Sequence, residues 1–404
     1  MPAPPKFNAH PFAYHHELTL AIETLTNLGV GLARVDGWVV MVPYALPGES
    51  VRARVFRNHA NYSEADLVEV LQASPARRAP LCPLFGDCGG CQYQHLEYPE
   101  QLAWKTRQVR EVFARLGGLP GADIRPARPS PREYHYRSKL TPHYDPPLRD
   151  GSFPIGFKRA SRRSLVDVPQ CPIATEAVNA ALPAVRAALT ARAGQLKRGG
   201  TLLIREVAEG VVTDYRAVVS ATIHGTTFQF LAGDFFQNNP FILPELVDYV
   251  LAEAAAGGAQ YLLDVYCGAG IFALCGRKRF TQCLGVEVNA DAVLRAVKNA
   301  SLNEAANCTF RTGAAETIFA SVPFPAAETA VILDPPRAGC DEPFLRQLLA
   351  HAPARVVYVS CDPATQARDL KILTTSGYRL LHAQPFDLFP QTRHIENVAT
   401  LEKM

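Results

Sequence analysis

The spacing of apolar and polar positions changes character twice along the chain. From about Glu17 to Leu71, short alternating runs such as Trp38-Val39-Val40-Met41-Val42 are punctuated by Gly29, Gly31, Asp36-Gly37 and Pro47-Gly48. Period-two alternation between turn signals predicts strands, and further strands at Val51 to Phe56 and Ala65 to Leu71 flank a turn at Asn58 to Asn61. Strands this short and this closely spaced predict a small β-barrel. The period then lengthens. Leu102, Val109, Val112, Phe113 and Leu116 share one face of a helix predicted from Glu100 to Leu116, which Gly117-Gly118 ends. A proline-rich connector, 126–131, leads to basic strands. A helix from Val178 to Arg192, closed by Gly194, and strands at Thr201 to Val207, Val211 to Ser220 and Thr226 to Leu231 complete an α+β middle segment.

Beyond Gly233 strands and helices alternate, the mark of a parallel sheet. Tyr261 to Val265 runs into Tyr266-Cys267-Gly268-Ala269-Gly270, and the next strand, Leu284 to Val286, ends at Glu287. A third, Ala330 to Leu333, ends at Asp334-Pro335-Pro336-Arg337. A fourth, Val356 to Val359, ends at Ser360-Cys361-Asp362-Pro363. Cys361 is thereby placed at the carboxyl edge of the sheet, where open α/β sheets bind ligands. These changes of pattern divide the chain at 13–73, 74–232 and 233–404.

Composition adds bounds. With 404 residues, 48% apolar and 20% charged, the chain is too long for one ordinary core and has a globular balance. No apolar run approaches the ~18 residues of a membrane span, and the opening Met-Pro-Ala-Pro-Pro-Lys, without a signal core, reads as a frayed tail. Ten cysteines without a secretory signal point to a reducing, cytoplasmic setting and to metal or catalytic use. The net charge of +3 conceals an asymmetry: 14 basic and 5 acidic residues lie between Trp104 and Arg163. Tyr134, Tyr136, Tyr144, Phe153 and Phe157 are interleaved there. Basic side chains hold phosphates and aromatic faces stack unpaired bases, so this stretch suits single-stranded RNA, or else a solvated charged face.

Three groups of residues carry candidate chemistry. Cys82, Cys88 and Cys91, with Cys171 as a fourth candidate, offer soft ligands on a glycine-rich loop. Three close cysteines and a distant one suit a 4Fe-4S cluster better than zinc, although spacing alone does not choose the metal. The Gly-x-Gly turn with Glu287 about twenty residues on suits a nucleoside cofactor; Gly268, Gly270 and Ala273 equally satisfy a dinucleotide pattern, so an NAD enzyme competes on this motif. Asp334-Pro335-Pro336 is a stiff loop common in nucleobase methyltransferases, with Arg337 where amine-directed ones carry an aromatic. Finally, a Cys361 thiolate could add to carbon 6 of a pyrimidine and make carbon 5 nucleophilic toward a sulfonium methyl. The carbon 5 proton must then leave to a base, for which Glu396 is the candidate, sharing a face with His394 if that segment is extended.

Two resemblances draw these residues together. Thr26 to Arg34 with Val42 to Glu49 resembles a TRAM domain, an OB-like RNA-binding barrel. The ordered set Phe-Phe-Gln-Asn-Asn-Pro at 235–240, Asp-Val-Tyr-Cys-Gly-Ala-Gly at 264–270, Gly-Val-Glu, Asp-Pro-Pro-Arg, Ser-Cys-Asp-Pro-Ala-Thr and Gln-Thr-Arg-His-Ile-Glu resembles the RNA (uracil-5-)-methyltransferase family. That resemblance implies an α/β fold: a Rossmann-like methyltransferase domain preceded by the barrel and by an α+β domain carrying an iron–sulfur cluster. It implies that Gln237, Tyr266, Glu287 and Asp334 contact S-adenosylmethionine, that Cys361 is the nucleophile and Glu396 the base, and that Cys82, Cys88, Cys91 and Cys171 ligate a 4Fe-4S cluster. The implied partner is RNA, 23S rRNA before the tRNA T-loop, with no membrane and a monomeric enzyme. Two positions depart from the pattern: Asp362 stands where many members have asparagine, and Ile271 where some have a polar residue. A cytosine-5 RNA methyltransferase and a non-catalytic RNA-binding iron–sulfur protein are the competing readings; Asp-Pro-Pro-Arg and His-x-Glu favour uracil over cytosine.

Overall fold

The alternating runs near the N-terminus become six strands: β1 (Glu17–Ala21), β2 (Thr24–Leu25), β3 (Val30–Val35), β4 (Trp38–Pro43), β5 (Ser50–Asn58) and β6 (Tyr62–Gln72). They hydrogen-bond in the order β1-β5-β6-β4-β3-β2, with β4 and β6 parallel. Along β5, Val51, Ala53 and Val55 enter a core with Ala33, Val40 and Val42, while Arg52 and Arg57 between and beyond them are exposed. The computed structural model describes residues 4–5, 7–160, 164–313 and 318–404. Most of the expected frayed tail, and Arg162 and Arg163 at the end of the basic stretch, lie outside the described residues. Chain contacts define two units, one of residues 1–104, 157–166 and 390–393, the other of residues 105–156, 167–389 and 394–404.

Helix α1 (Tyr98–Arg115) buries Val109 and Phe113 as its periodicity predicts, whereas Leu116, past its last turn, is 51% exposed. The elements that follow are β7 (Lys139–Leu140), β8 (His143–Tyr144), β9 (Ile155–Lys158), β10 (Leu165–Asp167), α2 (Glu176–Thr190), β11 (Gly200–Thr201), β12 (Ile204–Val207), β13 (Gly210–Val212), β14 (Val218–Ile223) and β15 (Thr226–Leu231). Two strands expected as continuous are broken. Thr201 pairs with His143 of β8, but Ile204 pairs with Leu140 of β7, so the chain changes sheet at Leu202-Leu203. Between β13 and β14, the Asp214 carboxylate accepts the Arg216 N–H at 2.9 Å, a side-chain turn that competes with strand pairing.

The C-terminal part of the chain contains α3 (Leu243–Ala255), β16 (Tyr261–Val265), α4 (Ile271–Gly276), β17 (Gln282–Glu287), α5 (Ala290–Leu302), β18 (Cys308–Thr312), β19 (Thr329–Leu333), α6 (Glu342–His351), β20 (Arg355–Ser360), α7 (Pro363–Thr375), β21 (Tyr378–Phe386) and β22 (Glu396–Lys403). Its seven strands are ordered β18-β17-β16-β19-β20-β22-β21; the first five run parallel, and β22 is antiparallel to both neighbours. The two faces bury separate cores. Val357 and Val359 join α3 and α4 residues on one face, and Val356 and Tyr358 join α6 and α7 residues on the other. This is why β20 reads as an unbroken apolar run. Burial of each such side chain contributes about 1.5–3 kcal/mol. The order reverses at β16, with β17 on one side and β19 on the other, so the ends of β16 and β19 frame a switch-point crevice.

Candidate active site

The β20–β22 ladder runs from Arg355 opposite Glu402 to Ser360 opposite Asn397. Cys361 and Glu396 are the next residues past this last rung, and the Glu396 charge acts on the Cys361 thiol. There β20 stops because α7 starts. The Asp362 carboxylate accepts the Ala364 and Thr365 N–H groups at 3.0 and 3.4 Å, and Pro363 takes the first helical position. Asparagine would cap equally well, so the departure at 362 preserves the local structure.

Three groups surround the thiol. Glu396 is 3% exposed; desolvation first, and then the Asp334 charge, push its carboxyl well above the usual range, with Arg337 opposing. Desolvation also raises Asp334. The Cys361 thiol is pushed up to about 11 by burial and then by Glu396, while the charge and hydrogen bond of Arg337 pull it down. Arg337 is thus the cation that favours the thiolate, a role its place in the motif did not announce. Its loop is tied down by Thr365, whose Oγ1 donates to the Arg337 carbonyl at 3.0 Å. The guanidinium Nη2 also lies 3.3 Å from His394 Nδ1. His394 does not extend a strand with Glu396: residues 387–395 are irregular, and β22 begins only at Glu396. The start of this irregular segment is pinned by a fully buried ion pair, Lys105 Nζ to Asp387 Oδ1 at 2.6 Å, with Phe389 O as a second acceptor at 3.3 Å.

The candidate cofactor residues occupy the adjacent strand ends. Gly268 and Gly270 have φ of +52° and +87°, and a Cβ on Gly268 would meet nothing within 4 Å, leaving backbone open to a ligand. The Glu287 carboxylate accepts the Gly268 N–H at 3.2 Å and the Asn289 N–H at 2.9 Å. Beneath the turn, Asp264 is fully buried. Its Oδ2 accepts the Ala273 N–H at 3.0 Å, and its Oδ1 has no partner among the described residues. Burial, with the Asp334 and Glu287 charges adding, raises Asp264 to about 8. An open turn, a ribose-type carboxylate and a buried acid fit a nucleoside cofactor. Tyr266, at φ +64°, turns its ring toward Phe344, with centroids 5.6 Å apart, and bonds Cys340. Gln237 is half-buried in the loop between β15 and α3. Lys139 Nζ donates to the Gly233 and Asp234 carbonyls of that loop at 3.1 and 3.2 Å, and Phe236 stacks on Phe230. Phe235 beside it is 79% exposed.

The basic, aromatic stretch proves less available than its composition suggested. Tyr136 is fully buried and stacks no base, Lys105 belongs to the buried pair, and Lys139 holds backbone carbonyls. A lysine inside a helix's apolar face was the one signal for the Lys105 pair, and an aspartate within an apolar strand the signal for Asp264. The loop of Cys82, Cys88 and Cys91 is in the first unit and turns tightly: Phe85 N–H donates to Cys82 O at 3.1 Å, and Cys88 N–H to Leu84 O at 2.8 Å. Burial, and then the nearby Cys82 charge, raise Cys88. Cys171 is in the second unit, its N–H bonded to Asn179 Oδ1 at 2.9 Å. Among the described residues, no three His, Cys, Asp or Glu side chains are gathered as a metal-holding group.

The chain is similar to known proteins over nearly its whole length. The family model for tRNA (uracil-5-)-methyltransferases matches residues 211–323 and 325–404, and that for the TRAM domain matches residues 16–68. A tRNA (uracil(54)-C(5))-methyltransferase of Schizosaccharomyces pombe is 39% identical over 98% of this chain and 80% of its own length. One of Saccharomyces cerevisiae is 34% identical over 97% and 74%. The crystal structure of Pyrococcus abyssi tRNA (uracil-54, C5)-methyltransferase in complex with S-adenosyl-L-homocysteine shares the fold, with a TM-score of 0.74 at 22% identity over 95% of this chain and 100% of that one. With relatives 39% and 34% identical over nearly the whole of this chain and the family model matching its C-terminal half, the assignment is plain: the chain belongs to the RNA (uracil-5-)-methyltransferase family.

Proposed function

We propose that this protein methylates carbon 5 of a uridine in RNA, tRNA before rRNA, through a covalent bond between Cys361 and the base. The observation that carries the reading is that Cys361 and Glu396 both lie just past the end of the β20–β22 ladder, with the Glu396 charge felt at the thiol and Arg337 bonded to it. Cys361, as thiolate, adds to carbon 6 and moves the electron pair toward carbon 5. The Gly268–Gly270 turn with Glu287, Asp334, Tyr266 and Gln237 would hold S-adenosylmethionine, which would supply the electrophilic methyl group that carbon 5 accepts. Glu396 then takes the carbon 5 proton, the double bond re-forms, and the Cys361 thiolate leaves. Exposed Phe235 offers a stacking face to an extruded base.

The choice of RNA shifts with the relatives. The TRAM-like barrel and the four cysteines suggested 23S rRNA, but the two relatives described above are named for tRNA uracil 54. Incubating the protein with labelled S-adenosylmethionine and separate tRNA and rRNA pools, followed by nucleoside analysis, tests both points. The expected product is 5-methyluridine in tRNA, abolished in Cys361→Ala; label in 5-methylcytidine, or undiminished label in that variant, would overturn the reading. The 4Fe-4S cluster is retained as a proposal on the donor set of Cys82, Cys88, Cys91 and Cys171. Its support is three thiols on one tight loop, two of them within electrostatic reach of each other. Iron and acid-labile sulfide should be present in protein purified without oxygen and lost in Cys88→Ser; zinc instead of iron would refute the cluster. We also retain 13–73, 74–232 and 233–404 as functional segments, and a monomeric, cytoplasmic enzyme.

A further inference from the structure

The base Glu396 is the first residue of its strand, with irregular chain before it; toward β20 the ladder stops one residue short of it, at Asn397, and its strand partner is Phe386 of β21. We propose that Gln366 of α7 is a positioning residue for Glu396, acting through Asn397. The proposal rests on the reading of Cys361 as nucleophile and Glu396 as base.

Gln366 and Asn397 are both fully buried. Gln366 Nε2 donates to the Tyr358 carbonyl of β20 at 2.8 Å and to the Asn397 carbonyl of β22 at 3.2 Å. In return, Asn397 Nδ2 donates to Gln366 Oε1 at 2.7 Å. One helical side chain therefore clasps the two strands at the end of their ladder, where Asn397 opposes Ser360. On the other side of β22, Asn397 faces Pro385, which has no N–H to give, so a donor from the helix takes on added weight. Asn397 Oδ1 has no partner among the described residues, so loss of Gln366 would leave the whole amide unpaired in a dry core. Successive side chains of a strand point to opposite faces. With Asn397 turned to α7, Glu396 is turned to the face that carries Val357, Val359 and the catalytic crevice. Holding Asn397 thus sets both the height and the facing of the carboxylate.

Besides the Gln366 bond to Tyr358, the nucleophile's strand has anchors of its own in the Asp362 cap and in Asp369, which accepts the Tyr358 hydroxyl at 2.7 Å and the Cys340 N–H at 2.9 Å. The two catalytic groups are therefore separable in kinetics. RNA containing 5-fluorouridine has no carbon 5 proton to lose, so its covalent adduct reports Cys361 alone, whereas release of methylated uridine RNA requires Glu396.

The test compares wild type with Gln366→Met in single-turnover reactions on both RNAs. The inference expects adduct formation on 5-fluorouridine RNA within about threefold of wild type. On uridine RNA it expects release slowed about tenfold or more, with the methylated protein–RNA adduct accumulating on denaturing gels. Equal slowing of both reactions, or unchanged release, would overturn it, because a purely structural loss does not divide the two steps. If Gln366→Met does not fold, Asn397→Ser, which keeps the strand backbone and removes the amide that meets Gln366, is read by the same criteria. Absence of an adduct with the wild-type protein would overturn the catalytic reading itself, and this inference with it, which separates the two failures.

Discussion

Raising the pH should accelerate the attack of Cys361 steeply. Its thiol sits near 11 because burial and the facing Glu396 disfavour charge, while Arg337 only partly offsets them. The reactive species is the thiolate, so a raised pKa leaves less of it at any given pH and the rate climbs as the pH approaches 11. With the thiol near 11, the thiolate fraction is roughly 10⁻⁴ at pH 7 and roughly 10⁻² at pH 9. The rate of adduct formation on saturating 5-fluorouridine RNA should therefore rise about a hundredfold across that interval, tenfold per unit. The assay is single-turnover quenching followed by denaturing gels, with a stability check at each pH. Arg337→Met, which removes the cation that lowers the thiol, should slow the reaction at every pH and keep the slope. A rate flat between pH 7 and 9, or one unaffected by Arg337→Met, would refute the assignment of Arg337 and of a suppressed thiolate.

Three further outcomes follow from described contacts. Lys105→Met strands the Asp387 carboxylate in a dry core and should cost about 3–5 kcal/mol in urea unfolding; a loss under about 1 kcal/mol would contradict the buried pair. Asp362→Ala should remove about 1 kcal/mol of α7 capping and lower the thermal midpoint, whereas Asp362→Asn should leave it within a few tenths. Gly270→Ala forces a side chain to φ +87° with its Cβ 2.8 Å from the Phe310 ring, and should weaken S-adenosylmethionine binding at least about tenfold by calorimetry.

Four strands of the C-terminal half, β16, β17, β19 and β20, were legible to within a residue or two because they are buried on both faces, which writes an uninterrupted apolar run into the chain, whereas β18, whose residues are mostly exposed, and the antiparallel pair β21 and β22 were not read. Motif order then located Cys361, Glu287 and Asp334 at strand ends, where they stand. Legibility failed where one residue serves two neighbours. Pro363 marks the end of a strand and is also the first residue of α7, and Thr201 and Ile204 belong to different sheets three residues apart. It failed again for groups whose meaning is a distant partner. The place of Lys105 on the apolar face of α1 hints that it is enclosed, but not by what, until Asp387 is brought to it across 282 positions. Gln366 likewise reads as an ordinary helical residue until Asn397 lies opposite. The aromatic and basic stretch misled in the other direction, since composition cannot tell an offered side chain such as Phe235 from an enclosed one such as Tyr136.

The threading of β22 between β20 and β21 has a consequence for biosynthesis. Until residues 396–403 emerge from the ribosome, β20 and β21 each present a bare edge, although the other side of β21 bonds residues 123–128. Such edges invite pairing with other chains. A chain that stops short of residue 396 would therefore be prone to aggregate through these edges, and completing β22 both closes the sheet and delivers Glu396.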